Sequence, residues 1–250
     1  MSNWDALSIQ VAWFASDARR VDISALYNEL FATSPDAIQN NKVPTPAAPF
    51  LSAASGQFGD LAVQLHVQSA RIDLFVQPPP PTDPPDAPSS ITDLEELVSN
   101  LTLYGEVVGA HLNSVNRLAL VTTLFNLADS LPAANRGAAE AAGVALPGYE
   151  ISDFSFQLNS RRAAPSQPQV QLNRLLKFGV LTFQTVLMDV ALYGIAPTNR
   201  QSFASSLQID VNTIPQLQPI PLDAQISAWS DLVAEMLALR ENGTLKGLWR

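Results

Sequence analysis

An α+β chain is predicted, with an N-terminal ferredoxin-like βαββαβ half followed by a β-rich antiparallel half closed by a long C-terminal helix. Three observations predict it. Residues 61–77 alternate with a period of two in two short runs, Leu61, Val63, Leu65 and Val67 and then Ile72, Leu74 and Val76, which reads as a hairpin at the centre of a sheet. The elements of the first half succeed one another as strand, helix, strand, strand, helix, strand, the order of the split βαβ pattern. The second half carries further alternating runs and then a stripe at helical spacing.

Taken in order, Leu7, Ile9, Val11, Trp13 and Ala15 define a first strand. Asp22 is placed to cap a short helix whose buried side is Ile23, Leu26, Tyr27 and Leu30. Residues 34–58, with Pro35, Pro44, Pro46 and Pro49 among many small residues, read as a long irregular connection. After the hairpin, the proline-rich spacer 78–90 cannot continue a strand or a helix. Thr92 and Glu95 form a capping box for a helix running to about residue 112, with Leu94, Leu97, Val98, Leu101, Tyr104, Val107 and Val108 buried. Residues 115–127 are β-branched and apolar enough to read as a strand, with a helix as the alternative.

Residues 132–143 suit a short helix, and Phe154, Phe156 and Leu158 alternate as a strand. Residues 161–168 read as a loop, 170–190 as one or two strands, 194–200 as a loop, and Leu207, Ile209 and Val211 as a strand. Asp223 is placed to cap the terminal helix, Ile226, Trp229, Val233, Met236 and Leu237 are its stripe, and Gly243 stops it. Trp249 is expected to pack back on the body. Two lobes follow, 1–130 and 131–250. The echo between residues 115–120, VNRLAL, and 172–177, LNRLLK, raises the question of a duplication.

Composition narrows the function. With 47% hydrophobic residues the 250-residue chain can fill a core, yet only 15% of its residues are charged, against about 25% in soluble domains. The net charge of −9 makes this an acidic protein with three lysines, Lys42, Lys177 and Lys246, so nucleic-acid binding is disfavoured. The lack of cysteine removes disulfides, thiol catalysis and thiolate metal sites. Neither a signal sequence nor a membrane span is visible, which makes a cytoplasmic protein without membrane association the expectation.

No motif dictates a chemistry. There is no phosphate-cradling glycine loop, no G-x-S-x-G and no metal spacing, so no catalytic residue, metal or cofactor is assigned. His66 and His111 could share a site with Asp73 or Glu106 only if a helix packed on the polar side of the hairpin. The one basic cluster is Arg161, Arg162, Arg174 and Lys177, a candidate grip for an anion or a set of partners for the abundant carboxylates. Gln64, His66, Gln68, Gln157, Asn159, Gln171 and Asn173 occupy the polar sides of strands where Lys and Glu are commoner. Neutral amides are desolvated at less cost than ions, which suits a face that meets a partner, although glutamine can equally stand in for lysine on a solvated sheet.

The expectation is a non-enzymatic interaction or assembly module that binds a protein partner or further copies of itself through a sheet face or strand edge. The alternative is a motif-less enzyme or small anionic ligand sensor with a pocket between the lobes, near residues 34–58 and Arg161/Arg162.

Overall fold

The alternation of residues 5–15 forms β1 (Asp5–Ala15), the middle strand of a nine-stranded antiparallel sheet. A computed structural model describes residues 4–80, 88–148, 151–191 and 194–249, with side chains at all of these but 186–199. The other elements are α1 (Ile23–Phe31), β2 (Ala37–Asn40), β3 (Ser52–Phe58), β4 (Leu61–Val67), β5 (Arg71–Gln77), α2 (Leu94–Ala110), β6 (Val115–Ala128), α3 (Leu131–Ala141), β7 (Phe156–Ala163), β8 (Gln171–Ala191), β9 (Gly194–Thr213) and α4 (Leu222–Asn242). Strands neighbour one another in the order β2-β3-β4-β5-β1-β6-β9-β8-β7. The hairpin β4–β5 therefore lies beside the centre, which β1 occupies. Residue 130 falls between β6 and α3, and the sheet runs on across that point because β6 pairs with β9 from Ala119↔Asn212 to Ala128↔Phe203.

The registers put the large apolar positions of neighbouring strands on one side: Leu65 opposes Leu74, Leu74 opposes Val11, Val11 opposes Leu120 and Leu120 opposes Val211. That side carries the four α-helices found among the described residues. Tyr27 of α1 reaches β3 at Gly56, α2 and α4 meet over Trp13, α3 accepts a hydrogen bond at Ala134 O from Ser205 of β9, and Glu235 of α4 pairs with Arg174 of β8. The core is thus one continuous layer between helices and sheet.

Asp22 caps α1 as expected, accepting from the backbone N–H groups of Ser24 and Ala25, and Gly243 ends α4 in the left-handed region. Other expectations are corrected. Residues 37–40 and 52–58, read as irregular, are strands, because β4 offers β3 a seven-residue edge and β3 in turn pairs β2. Residues 161–163 and 194–200, read as loops, are strand as well. α2 begins one position later than a Thr92 cap requires, since the Ile91 N–H bonds Ala6 O at 2.8 Å and holds the chain extended there. α4 starts at Leu222, so Asp223 lies in its first turn instead of capping it. Trp249 is 69% exposed, and its neighbour Leu248 is the tail residue that packs inward. Part of the proline-rich spacer, 81–87, lies outside the described residues.

Two glycines set the helix layer. A Cβ at Gly105 would run into the indole of Trp229, and one at Gly109 would lie 2.7 Å from Leu222 Cδ1, so at these two positions the backbone of α2 packs directly against side chains of α4. Gly105→Ala is expected to lower stability by about 1–3 kcal/mol, because the added methyl overpacks a rigid indole. A thermal melt matching the parent's would show that the crossing has slack.

Candidate interaction face

With the four α-helices on one side, the other side of the sheet is uncovered by any helix among the described residues, and the strand periodicity decides what stands there. The period of two sends Gln64 and His66 of β4, Arg71, Asp73 and Phe75 of β5, and Gln10, Ala12 and Phe14 of β1 to the open side. Beyond them come Arg117 and Val121 of β6, Gln208, Asp210 and Asn212 of β9, Asn173 and Lys177 of β8, and Gln157, Asn159 and Arg161 of β7. Gln171 belongs to the same side, and Gln68 adjoins it in the turn after β4. All seven residues of the expected amide-rich face therefore share one surface, although they come from both halves of the chain.

Near its middle the face is organised around Asp73, which is fully buried. Gln10 Nε2 donates to its Oδ1 at 2.8 Å, while Gln68 Nε2 and Arg71 Nε donate to Oδ2 at 2.8 and 2.7 Å. Three charge-assisted bonds satisfy a carboxylate that would otherwise be costly to bury. Rings surround this knot. His66 stands between Phe50 and Phe75, with ring centroids 4.6 and 5.0 Å away, and burial pushes its imidazole pKa below the usual value despite the attraction of the Asp73 carboxylate. Arg71 and Arg117 both lie over the Phe14 ring, at 5.4 and 4.8 Å.

Toward β7 the amides join strand to strand. Arg161 Nε donates to Asn173 Oδ1 at 2.9 Å, Asn173 Nδ2 to Asn212 Oδ1 at 2.9 Å, and Asn212 Nδ2 to Asp210 Oδ1 at 2.8 Å. This polar ladder holds its side chains in fixed orientations over three strands, leaving a surface rich in neutral amides.

The basic cluster does not converge. Arg161 and Lys177 stand on the open side, whereas Arg162 and Arg174 point under the helices and hold Glu235 at 3.2 and 3.0 Å. Arg174 also donates to Leu248 O at 2.7 Å. Cavities of about 550, 400 and 280 Å³ lie beside α3, at the start of α2 and at the start of β7, and of the four cations only Lys177 lines one of them, the smallest. The two histidines are apart as well, since His111 ends α2 and pairs with Glu29 at 2.7 Å. The N-R-L echo places Arg117 on the open side and Arg174 on the covered side, so the two segments are not equivalent by position. Among the described residues no three or more His, Asp or Glu side chains gather as a metal site, and no helix is long and apolar enough to cross a membrane.

Sequence reasoning missed Phe14, Arg71, Phe75 and Arg117 as members of this face. The signal available was their parity with Gln10 and Asp73 in strands already recognised. No family model, curated protein or solved structure matches the chain.

Proposed function

We propose that this chain is a non-enzymatic protein-interaction or assembly module whose uncovered sheet face receives a protein partner. The observation that carries the reading is the aromatic and arginine patch of Phe14, His66, Phe75, Arg71 and Arg117, in which a buried Asp73 holds Arg71 and Arg117 lies over Phe14, on a face with no described helix over it. Aromatic and arginine side chains are enriched where interfaces concentrate their binding energy, and side chains already fixed lose little entropy on docking. A protein fits better than a nucleic acid, because Arg71 is engaged by Asp73, Arg117 is stacked on Phe14, and the net charge is −9.

The ferredoxin-like character of the N-terminal half belongs to the same proposal. It is supported by the adjacency of β4, β5, β1 and β6 in that order, all antiparallel, with α1 and α2 on one face. The halves 1–130 and 131–250 are then two units built onto one sheet.

Photo-crosslinking in the native cell tests the interaction face. A photoreactive residue at Gln64 or Asn159 is expected to give defined protein adducts, and one at the exposed Leu103 of α2 is not. Phe14→Ser with Phe75→Ser should reduce the adducts by about thirtyfold, the scale of a lost hot spot. Equal labelling from Leu103, or no adduct from either face position, would sink the reading.

A further inference from the structure

The hairpin β8–β9 outruns the sheet that contains it. β8 and β9 pair continuously from Leu172↔Thr213 to Ala191↔Gly194. β7, however, accompanies β8 only as far as Phe178, and β6 accompanies β9 only from Phe203. From Gly179 onward the outer edge of β8 therefore has no strand beside it among the described residues, and the hairpin continues as a two-stranded arm. A two-stranded ribbon alone is marginal in water, and an unpaired edge is a template for another strand.

The two edges of the arm are not alike. β9 carries Pro197, which withholds an N–H, and Arg200, both of the kind that discourage strand addition. Residues 179–191 of β8, GVLTFQTVLMDVA, contain no proline or lysine and a single charge, Asp189. Both outer edges of the arm lack a strand among the described residues, and of the two the β8 edge is the one without a guard.

The geometry points to β8 as a homodimerisation edge, at which residues 179–191 of two copies pair antiparallel about a twofold axis near Thr185. The partner is a second copy because an antiparallel strand is its own complement, with Gly179 of one copy opposite Ala191 of the other and no like charges meeting near the axis. The thirteen residues span about 43 Å and can form about twelve main-chain hydrogen bonds, comparable with the roughly ten of a typical interface. Over a sheet about 10 Å thick the edge covers about 430 Å² per copy, less than the roughly 600 Å² per copy of the smallest stable interfaces, so the association is weak and reversible.

The start of β7 limits the pairing. The far end of each β8 arrives where Phe156 pairs with Phe178, beside the cavity of about 280 Å³ lined by Asp153, Phe154, Ser155, Lys177, Gly179 and Leu181. With β7 filling the rest of the edge, the assembly closes at two copies instead of growing into a filament. Such a dimer deepens the assembly reading at its strand edge and does not use the open face, so either contact can fail without the other.

Light scattering with mass determination on the full chain, from about 1 to about 200 µM, tests it. The mass should rise from 26.9 kDa toward twice that value. Two variants should weaken dimerisation at least tenfold while keeping a cooperative thermal melt. One replaces residues 184–201 by an Asn-Gly turn, which preserves the Phe183↔Ser202 pair and the contact of Phe183 with Phe125. The other is Gln184→Lys with Val186→Lys, which sets lysines against each other across the axis; it decides the matter should the shortened chain fail to fold. A chain monomeric at every concentration, or lysine-variant dimers as tight as the parent's, would overturn the inference. So would dissociation by Phe14→Ser with Phe75→Ser and not by the lysines, a result that would place the dimer contact on the open face and favour the proposed function.

Discussion

Replacing Glu235 by alanine is expected to destabilise the protein by about 3–5 kcal/mol, the scale seen when one partner of a buried ion pair is removed. Glu235 holds two arginines from adjacent strands, Arg162 at 3.2 Å and Arg174 at 3.0 Å, and its side chain is 6% exposed. Without it, Arg174 keeps its charge beneath α4 with only Leu248 O as a partner among the described residues. Arg162 lies nearer solvent and can turn outward. The expected order of loss is therefore Glu235→Ala, then Arg174→Ala, then Arg162→Ala, since loss of either arginine leaves Glu235 one cation. Joint replacement, Arg174→Met with Glu235→Leu, should recover much of the loss because the buried pair no longer has to be desolvated. Urea unfolding of the set measures this; equal effects for the three single variants would show that the pairing does not work as a shared network.

Trp229→Ala is expected to cost about 3–5 kcal/mol as well, by a different mechanism. The indole is fully buried, packs 5.2 Å from the Trp13 ring and touches the backbone of α2 at Gly105, so it links α4, α2 and β1. Its ring N–H has no hydrogen-bond acceptor among the described residues, which makes the loss one of packing and cavity formation. Trp229→Phe should recover part of it. For a chain of this size the alanine variant should melt about 10 °C lower, and a fall of under about 2 °C would show that the helix layer collapses into the space.

Much of the sheet was legible because one of its faces is buried. Where apolar and polar residues alternate, as at Val63, Leu65 and Val67 against Gln64 and His66, hydration alone fixes which side each takes. β2 and β3 were not legible, since AIQN and SAASGQF hold too few large apolar residues to alternate, and their extended state comes from pairing with β4. The arm was read partly as a loop for a related reason: residues 194–200 pair with β8 beyond the end of β6 and carry no period-two pattern, so their extended state comes from the ladder and not from an apolar face. The division of the basic cluster was latent in the sequence. Arg161 and Arg162 are adjacent, so in a strand they must point to opposite faces, and reading 161–168 as a loop concealed that.

By itself the sequence settled the α+β composition, the alternating strands, the cap at Asp22 and the stop at Gly243, because these follow from local sterics and from the hydration of neighbouring side chains. Which strand lies beside which, and hence that Gln64 and Asn159 share a surface while Arg162 and Glu235 meet beneath a helix, was decided only by tertiary pairing. Local forces cannot choose among distant partners; that choice is made by the single arrangement that buries the apolar side of every strand at once.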